Sequence, residues 1–126
     1  MAVNMLRRFE PYAYALLRIV AGLLFLFHGV QKLGIMGDPM VPLLSKMGLA
    51  MIIESVGGAL IMVGFMTSPI AFLASGEMAY AYFTAHQPKA TWPIQNGGEL
   101  AALYCFIFLY ISTRGAGMLS VDGGGK

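Results

Sequence analysis

Seven ionisable side chains stand inside stretches that are otherwise apolar. Arg18, His28 and Lys32 share the first stretch, Glu54 lies in the second, Glu77 in the third with His86 at its end, and Glu99 in the fourth. Carboxyl, imidazole and ammonium groups are what acid–base exchange needs, and they can aim donors and acceptors at a bound polar group. Gln31, Trp92 and Gln95 stand close to them in sequence and add hydrogen-bonding and ring surface. At the centre of a bilayer each charge costs about 2.5–3.5 kcal/mol, so each requires a partner or a wet cavity. Two uses satisfy that requirement. The charges either form ion pairs that fix helix register, or they line a functional site.

The elements that must hold them are helices in a membrane. The chain has 126 residues, 58% of them hydrophobic and 11% charged. A soluble domain usually carries about a quarter charged residues, and a length like this supports one domain, 1–126. Four apolar stretches approach the roughly 20 residues that a 30 Å hydrocarbon core demands. They are residues 12–33, 47–66, 69–85 and 95–113. These predict an all-α fold, an integral membrane four-helix bundle running up-down-up-down around a polar, charged interior.

Thr67-Ser68 ahead of Pro69 predicts a tight turn on one side, with Pro69 in the first turn of the third helix. The longer loops, 34–46 and 86–94, gather on the other side. Arg7, Arg8, Arg114 and Lys126 lie toward the termini against Lys32, Lys46 and Lys89 opposite, which places both termini in the cytoplasm. The first stretch follows Arg7 and Arg8 as a signal peptide would, but no small-residue cleavage site follows it, so it reads as a retained span. Gly22, Gly29, Gly57, Gly58, Gly64 and Gly76 suit close backbone packing. The terminal Gly123-Gly124-Gly125 stretch reads as flexible and without chemistry.

Composition excludes several classes. A formal charge of +2 spread along the chain is no footprint for nucleic acid. The lone Cys105 allows neither an internal disulfide nor a thiol pair, and there is no cysteine cluster for iron–sulfur. Met36/Met40 and Met47/Met51 are spaced four apart, but methionine in a membrane core is first a gap-filler. A di-iron centre would need a Glu-x-x-His spacing that is missing, and haem would need His28 and His86 to meet from different depths. No metal site is expected.

Counting residues inward from the span ends pairs the charges by depth. Arg18 and Glu77 enter about 9 and 12 Å from the side of the termini and form a candidate structural ion pair. From the opposite side His28 and Glu54 each lie roughly 10 Å deep, and Lys32 and Glu99 about one turn in. At 100° per residue Arg18, Gly22, Gly29 and Lys32 share an arc, Glu77 faces with Tyr80 and Thr84, and Glu99 with Phe106 and Tyr110. His28, Lys32, Glu54, His86 and Glu99, with Gln31, Trp92 and Gln95, would then make one polar pocket opening toward the longer loops.

The order of these residues resembles the DoxX-like family of small four-helix membrane proteins over nearly the whole chain. The resemblance is carried by Leu17-Arg18-Ile19 and Phe27-His28-Gly29-Val30-Gln31-Lys32-Leu33, and by Glu54 with Gly57-Gly58 and Gly64. It continues through Ala79 to His86 and Trp92, Asn96-Gly97-Gly98-Glu99-Leu100 to Tyr104, and Arg114-Gly115-Ala116-Gly117 with Ser120 and Asp122. It implies a bacterial or archaeal inner-membrane protein linked to redox enzymes, one relative being a subunit of a thiosulfate:quinone oxidoreductase.

Three functions stay open on the sequence. One is a component of a quinone-linked redox system, with Lys32 or His28 donating to one quinone carbonyl, His86 facing the other, and Glu54 or Glu99 exchanging protons. Gln31, Trp92 and Gln95 would complete that quinone pocket, and a soluble redox enzyme or second membrane subunit would supply electrons. The second is a non-catalytic membrane anchor or assembly partner for soluble redox or stress enzymes. The third is a small proton-coupled transporter, which four short helices could build only as a homo-oligomer.

Overall fold

The computed structural model describes residues 2–34, 42 and 44–123. Pro39, the Met36/Met40 pair, Gly124, Gly125 and Lys126 lie outside the described residues. The described residues form helices and no strand. A short α1 (Ala2–Arg7) leads into α2 (Glu10–Lys32), followed by α3 (Lys46–Val63) and α4 (Thr67–Ala81). A π-helical turn, Tyr82–His86, continues α4, and a 3-10 turn and the single-turn α5 (Pro93–Asn96) precede α6 (Glu99–Arg114).

Local chemistry sets these boundaries. Ser45 caps α3, its hydroxyl accepting from the Gly48 N–H at 3.0 Å. Gly64 ends α3 in the left-handed region at φ 76°, its N–H turning back onto the Leu60 and Ile61 carbonyls. The second span, α3, therefore stops at Val63, and α4 begins at Thr67, two residues before Pro69. Gly97, at φ 75°, separates α5 from α6, so the fourth span starts at Glu99 and not at Gln95.

The four long helices alternate in direction. α2 packs mainly on α3, and α4 mainly on α6; α3 meets α4 less extensively, and the α2–α6 seam is slender. Glycine makes the first of these interfaces. A Cβ on Gly22 would sit 2.6 Å from the Met62 backbone nitrogen, and one on Gly58 2.5 Å from that of Leu26, so neither position has room for a side chain. Between the helix pairs lies a core of Phe25, Ile61, Ala71, Ala74, Met78, Tyr104, Phe108 and Ile111. Phe25 and Phe108 meet at 4.8 Å between ring centroids, in the range that favours aromatic pairs.

The outer surface is apolar. Leu16, Val20, Leu24 and Phe27 on α2, Ile52 and Val56 on α3, Phe72 on α4, and Leu103 and Phe106 on α6 are all exposed. α2 and α3 have the length and hydropathy of spans, with only 39% and 33% of their apolar windows covered by the rest of the protein. α4 with its π turn reaches about 30 Å. The bundle is that of a helical membrane protein.

Arg18 corrects the pairing expected from depth. It is fully buried, yet its partner is not Glu77. Nε donates to the Ile61 carbonyl at 3.1 Å, Nη1 to those of Ala116 and Met118, and Nη2 to those of Met62 and Leu119. All five guanidinium N–H groups are thus used. Two of the acceptors belong to the last turn of α3, at the negative end of its helix dipole, where the Ile61 carbonyl takes a second donor beside the Gly64 N–H. The other three come from the segment 115–123, which crosses the α3–α4 turn as a strap.

The strap is held by both backbone and side chains. The Val121 and Asp122 N–H groups donate to the Val63 and Gly64 carbonyls, and the Tyr14 hydroxyl donates to the Gly115 carbonyl at 2.6 Å. Gly123, expected in a loose end, donates its N–H to the Ser120 hydroxyl at 2.9 Å. The Asp122 carboxylate accepts from the Met66 and Thr67 N–H groups at the start of α4, at 3.0 and 2.9 Å. Those bonds, the one from Thr67 foremost, hold its pKa below the usual carboxylate value.

A carboxyl depressed in the folded state contributes stability that is complete above its unfolded pKa, about 3.9. That contribution disappears as pH falls through the lower folded value. Asp122→Ala should therefore lower the thermal midpoint of detergent-solubilised protein at pH 7, and the gap from wild type should close toward pH 3.

Candidate functional site

The charged groups that do converge lie toward the loop end of the bundle. Lys32, in the last turn of α2, places Nζ 2.7 Å from Glu54 Oε1 in α3, with side chains only 18% and 3% exposed. Glu77 in α4 brings its carboxyl within electrostatic reach of both Glu54 and Lys32. Its Oε1 is buried without a hydrogen-bond donor. Three helices thus deliver two carboxyls and one ammonium. With both carboxyls ionised the cluster would be one negative charge in excess in an apolar interior, a costly arrangement.

This arrangement replaces the depth pairs. Lys32 binds Glu54 and not Glu99, and Glu54 is taken by Lys32 and not by His28. Glu77 joins this cluster because α4 packs beside α3, whereas Arg18 is drawn to the strap at the other end.

His28 instead meets α6, its ring edge-on to Tyr104 at 5.9 Å. Tyr104 also stacks on Phe108, at 5.5 Å and 5° between planes, and lies close enough to Glu54 for their charges to interact. Along the slender α2–α6 seam runs a groove of about 320 Å³ lined by Leu24, Phe27, His28, Gln31, Leu100 and Tyr104. Leu24, Phe27 and Leu100 also lie exposed on the outer surface, so the groove opens sideways to the surrounding lipid. Its polar groups are an imidazole, an amide and a phenol, the last within electrostatic reach of the Glu54 carboxyl.

The remaining candidates stand elsewhere. Glu99 is exposed in the first turn of α6, where a carboxylate suits the positive end of the helix dipole. Phe106 and Tyr110 are likewise exposed, so the face expected inward points outward, and α6 buries Ala101, Tyr104, Phe108 and Ile111. Tyr80 and Thr84 also face outward.

The π turn carries Tyr82 and His86 against α5. His86 Nδ1 lies 3.3 Å from the Asn96 carbonyl, and the Asn96 amide donates to the Tyr82 hydroxyl at 3.2 Å and to the Ala90 carbonyl at 3.1 Å. Its Oδ1 accepts from the Gly98 N–H at 2.8 Å. His86 therefore belongs to a lock that shapes the loop ahead of α6. Trp92 and Gln95 are exposed on that loop and do not line the groove. Among the described residues no cluster of His, Cys, Asp and Glu side chains has the makings of a metal site.

The family model for DoxX matches residues 13–87, which span α2, α3, α4 and the π turn. The chain belongs to the DoxX family. It is also 40% identical over 134 residues to a protein of Haemophilus influenzae described as uncharacterized, with 95% of this chain and 96% of that one covered. No solved structure matches. The family match covers Arg18, His28, Lys32, Glu54 and Glu77, so the charged cluster lies within the DoxX segment. Tyr104, Asn96 and the strap with Asp122 lie beyond it. Of these, Tyr104 stands two residues before Phe106 at helical spacing from Ala101, Phe108 and Ile111, a buried stripe that no contrast in polarity marks in the sequence.

Proposed function

We propose that this DoxX-family protein is the membrane component of a quinone-linked redox system, and that the α2–α6 groove receives the quinone head group. The observation that carries the reading is a lipid-open groove whose apolar walls end in His28, Gln31 and Tyr104, with the Glu54 carboxyl within electrostatic reach of Tyr104. A quinone diffuses within the bilayer and presents two carbonyl oxygens to donors. Its two-electron reduction takes up two protons. Tyr104 and His28 donate hydrogen bonds to the carbonyls, and Glu54 passes the two protons one at a time, being reprotonated through the Glu77–Lys32 cluster after the first. Lys32 keeps Glu54 in place, and its position near the span end gives the cluster a way to regain protons from the aqueous side.

The electrons come from a partner redox protein, either a soluble enzyme or a second membrane subunit. The protein then resides in the inner membrane with its termini in the cytoplasm, and the groove opens in the outer half of the bilayer.

Binding of a short-chain quinone analogue to protein in lipid nanodiscs tests the site. Tyr104→Phe removes one donor, worth about 1–1.5 kcal/mol, and should weaken binding roughly tenfold. Trp92→Ala, outside the groove, should leave it unchanged. Wild-type protein that binds no quinone analogue would end this assignment.

A further inference from the structure

A second concave site lies at the opposite end of the bundle, where α1 runs into α2 and the strap leaves α6. It is a groove of about 640 Å³ lined by Arg8, Pro11, Tyr12, Arg114, Gly117 and Met118 together with Gly123. Nothing in the redox reading uses it. Its two cations are placed differently. Arg114 is fixed, its guanidinium 3.8 Å from the centre of the Tyr14 ring and its Nη2 donating to Glu10 Oε1 at 2.7 Å. Nη1 lies beside Gly117, where a Cβ would stand 3.2 Å from it and 2.9 Å from the Tyr14 ring. Gly117 also has φ 72°, so both space and backbone require glycine there. Arg8 rests over the Phe9 ring at 4.9 Å and has no carboxylate partner among the described residues.

Two guanidinium groups against one carboxylate leave a single positive charge in the groove. Pro11, Tyr12 and Met118 form its apolar wall. From Tyr12 that wall continues along α2 through Leu16 and Val20, exposed residues one turn apart on one face. A short cationic recess at the end of an apolar stripe matches a head group joined to an acyl chain. The exposed Met5, Leu6 and Phe9 around it also suit the boundary between head groups and chains.

We infer that this groove is a binding site for an anionic phospholipid, its phosphodiester held between Arg8 and Arg114 and its acyl chain lying on Tyr12, Leu16 and Val20. A phosphodiester carries one negative charge and matches the surplus in the groove. A zwitterionic choline head group adds a cation that the site does not accommodate, so phosphatidylglycerol is preferred to phosphatidylcholine.

Native mass spectrometry of delipidated protein titrated with each lipid reads the retained adducts directly. Phosphatidylglycerol should be retained about fivefold more strongly than phosphatidylcholine, and Arg8→Gln should remove most of that preference. Arg114→Gln should act in the same direction, while Lys89→Gln at the far end should leave the preference intact. Because Arg114 also braces Tyr14 and Glu10, Arg8→Gln is the deciding variant, with unchanged helicity by circular dichroism as its control. Equal retention of the two lipids, or full preference in Arg8→Gln, would overturn the inference. Loss of bound phosphatidylglycerol on adding millimolar inorganic phosphate would also overturn it, by showing a site for free phosphate.

Discussion

Arg18→Lys should leave little folded protein, although the charge is conserved. Lysine brings three donors on one atom where five carbonyls now receive five N–H groups spread over a plane. At least two carbonyls would lose their donor in a buried or half-buried place, at about 1–3 kcal/mol each, so the loss is roughly 2–6 kcal/mol. Domains are commonly stable by about 5–15 kcal/mol, so this is a large fraction of the total. Arg18→Met should be worse, because it removes all five donors and leaves only the Ile61 carbonyl with another, the Gly64 N–H. The expected results are a sharp fall in membrane-inserted protein and, in whatever is recovered, faster proteolysis within 115–123, since three of the stranded carbonyls hold the strap in place. A thermal midpoint for Arg18→Lys within a few degrees of wild type would show that the guanidinium network contributes little.

Arg18 also marks where sequence reasoning stops. Counting along a helix gives the depth of a side chain, and it correctly put Arg18 and Glu77 inside the bundle. It gives no direction around the bundle. Glu77 was within reach of Arg18 in depth, but α4 turns it toward Glu54, and the strap supplied carbonyls that no count of charges could reveal. Backbone acceptors are not legible in side-chain types.

The misplaced face of α6 has another cause. In a soluble helix the polar side identifies the buried side by contrast. Between Leu100 and Ile111 nearly every residue of α6 is apolar, so lipid-facing Phe106 and core-facing Phe108 look alike in the sequence. Glu99, the one charge nearby, was the natural marker for the interior, yet it sits in the first turn, at the boundary. The glycines were more informative. Gly22 and Gly58 lie where α2 and α3 touch backbone to backbone, because contact of that kind excludes any side chain whatever surrounds it. The helical membrane fold was legible from apolar length, and the Lys32–Glu54 meeting only from coordinates.

Glu54→Gln should separate folding from function. With Glu54 neutral, Lys32 keeps Glu77 as a carboxyl within electrostatic reach, and the cluster then holds one positive and one negative charge. Gln also retains the shape and an oxygen acceptor for Nζ. The change should therefore cost only about 1 kcal/mol, and the protein should accumulate near the wild-type level. Lys32→Met should behave differently, since it leaves two carboxyls buried with no cation, a loss of about 3–5 kcal/mol. Under the quinone reading Glu54→Gln removes the group that delivers protons beside Tyr104, and quinone-dependent activity in membranes should drop at least a hundredfold, as removal of general acid–base catalysis does. An anchor that only recruits soluble enzymes would keep its full effect at a normal protein level. Protein level measured by immunoblot beside pathway activity in the same membranes thus decides between them: normal level with activity retained would leave the carboxyl pair as a packing device and remove it from the mechanism.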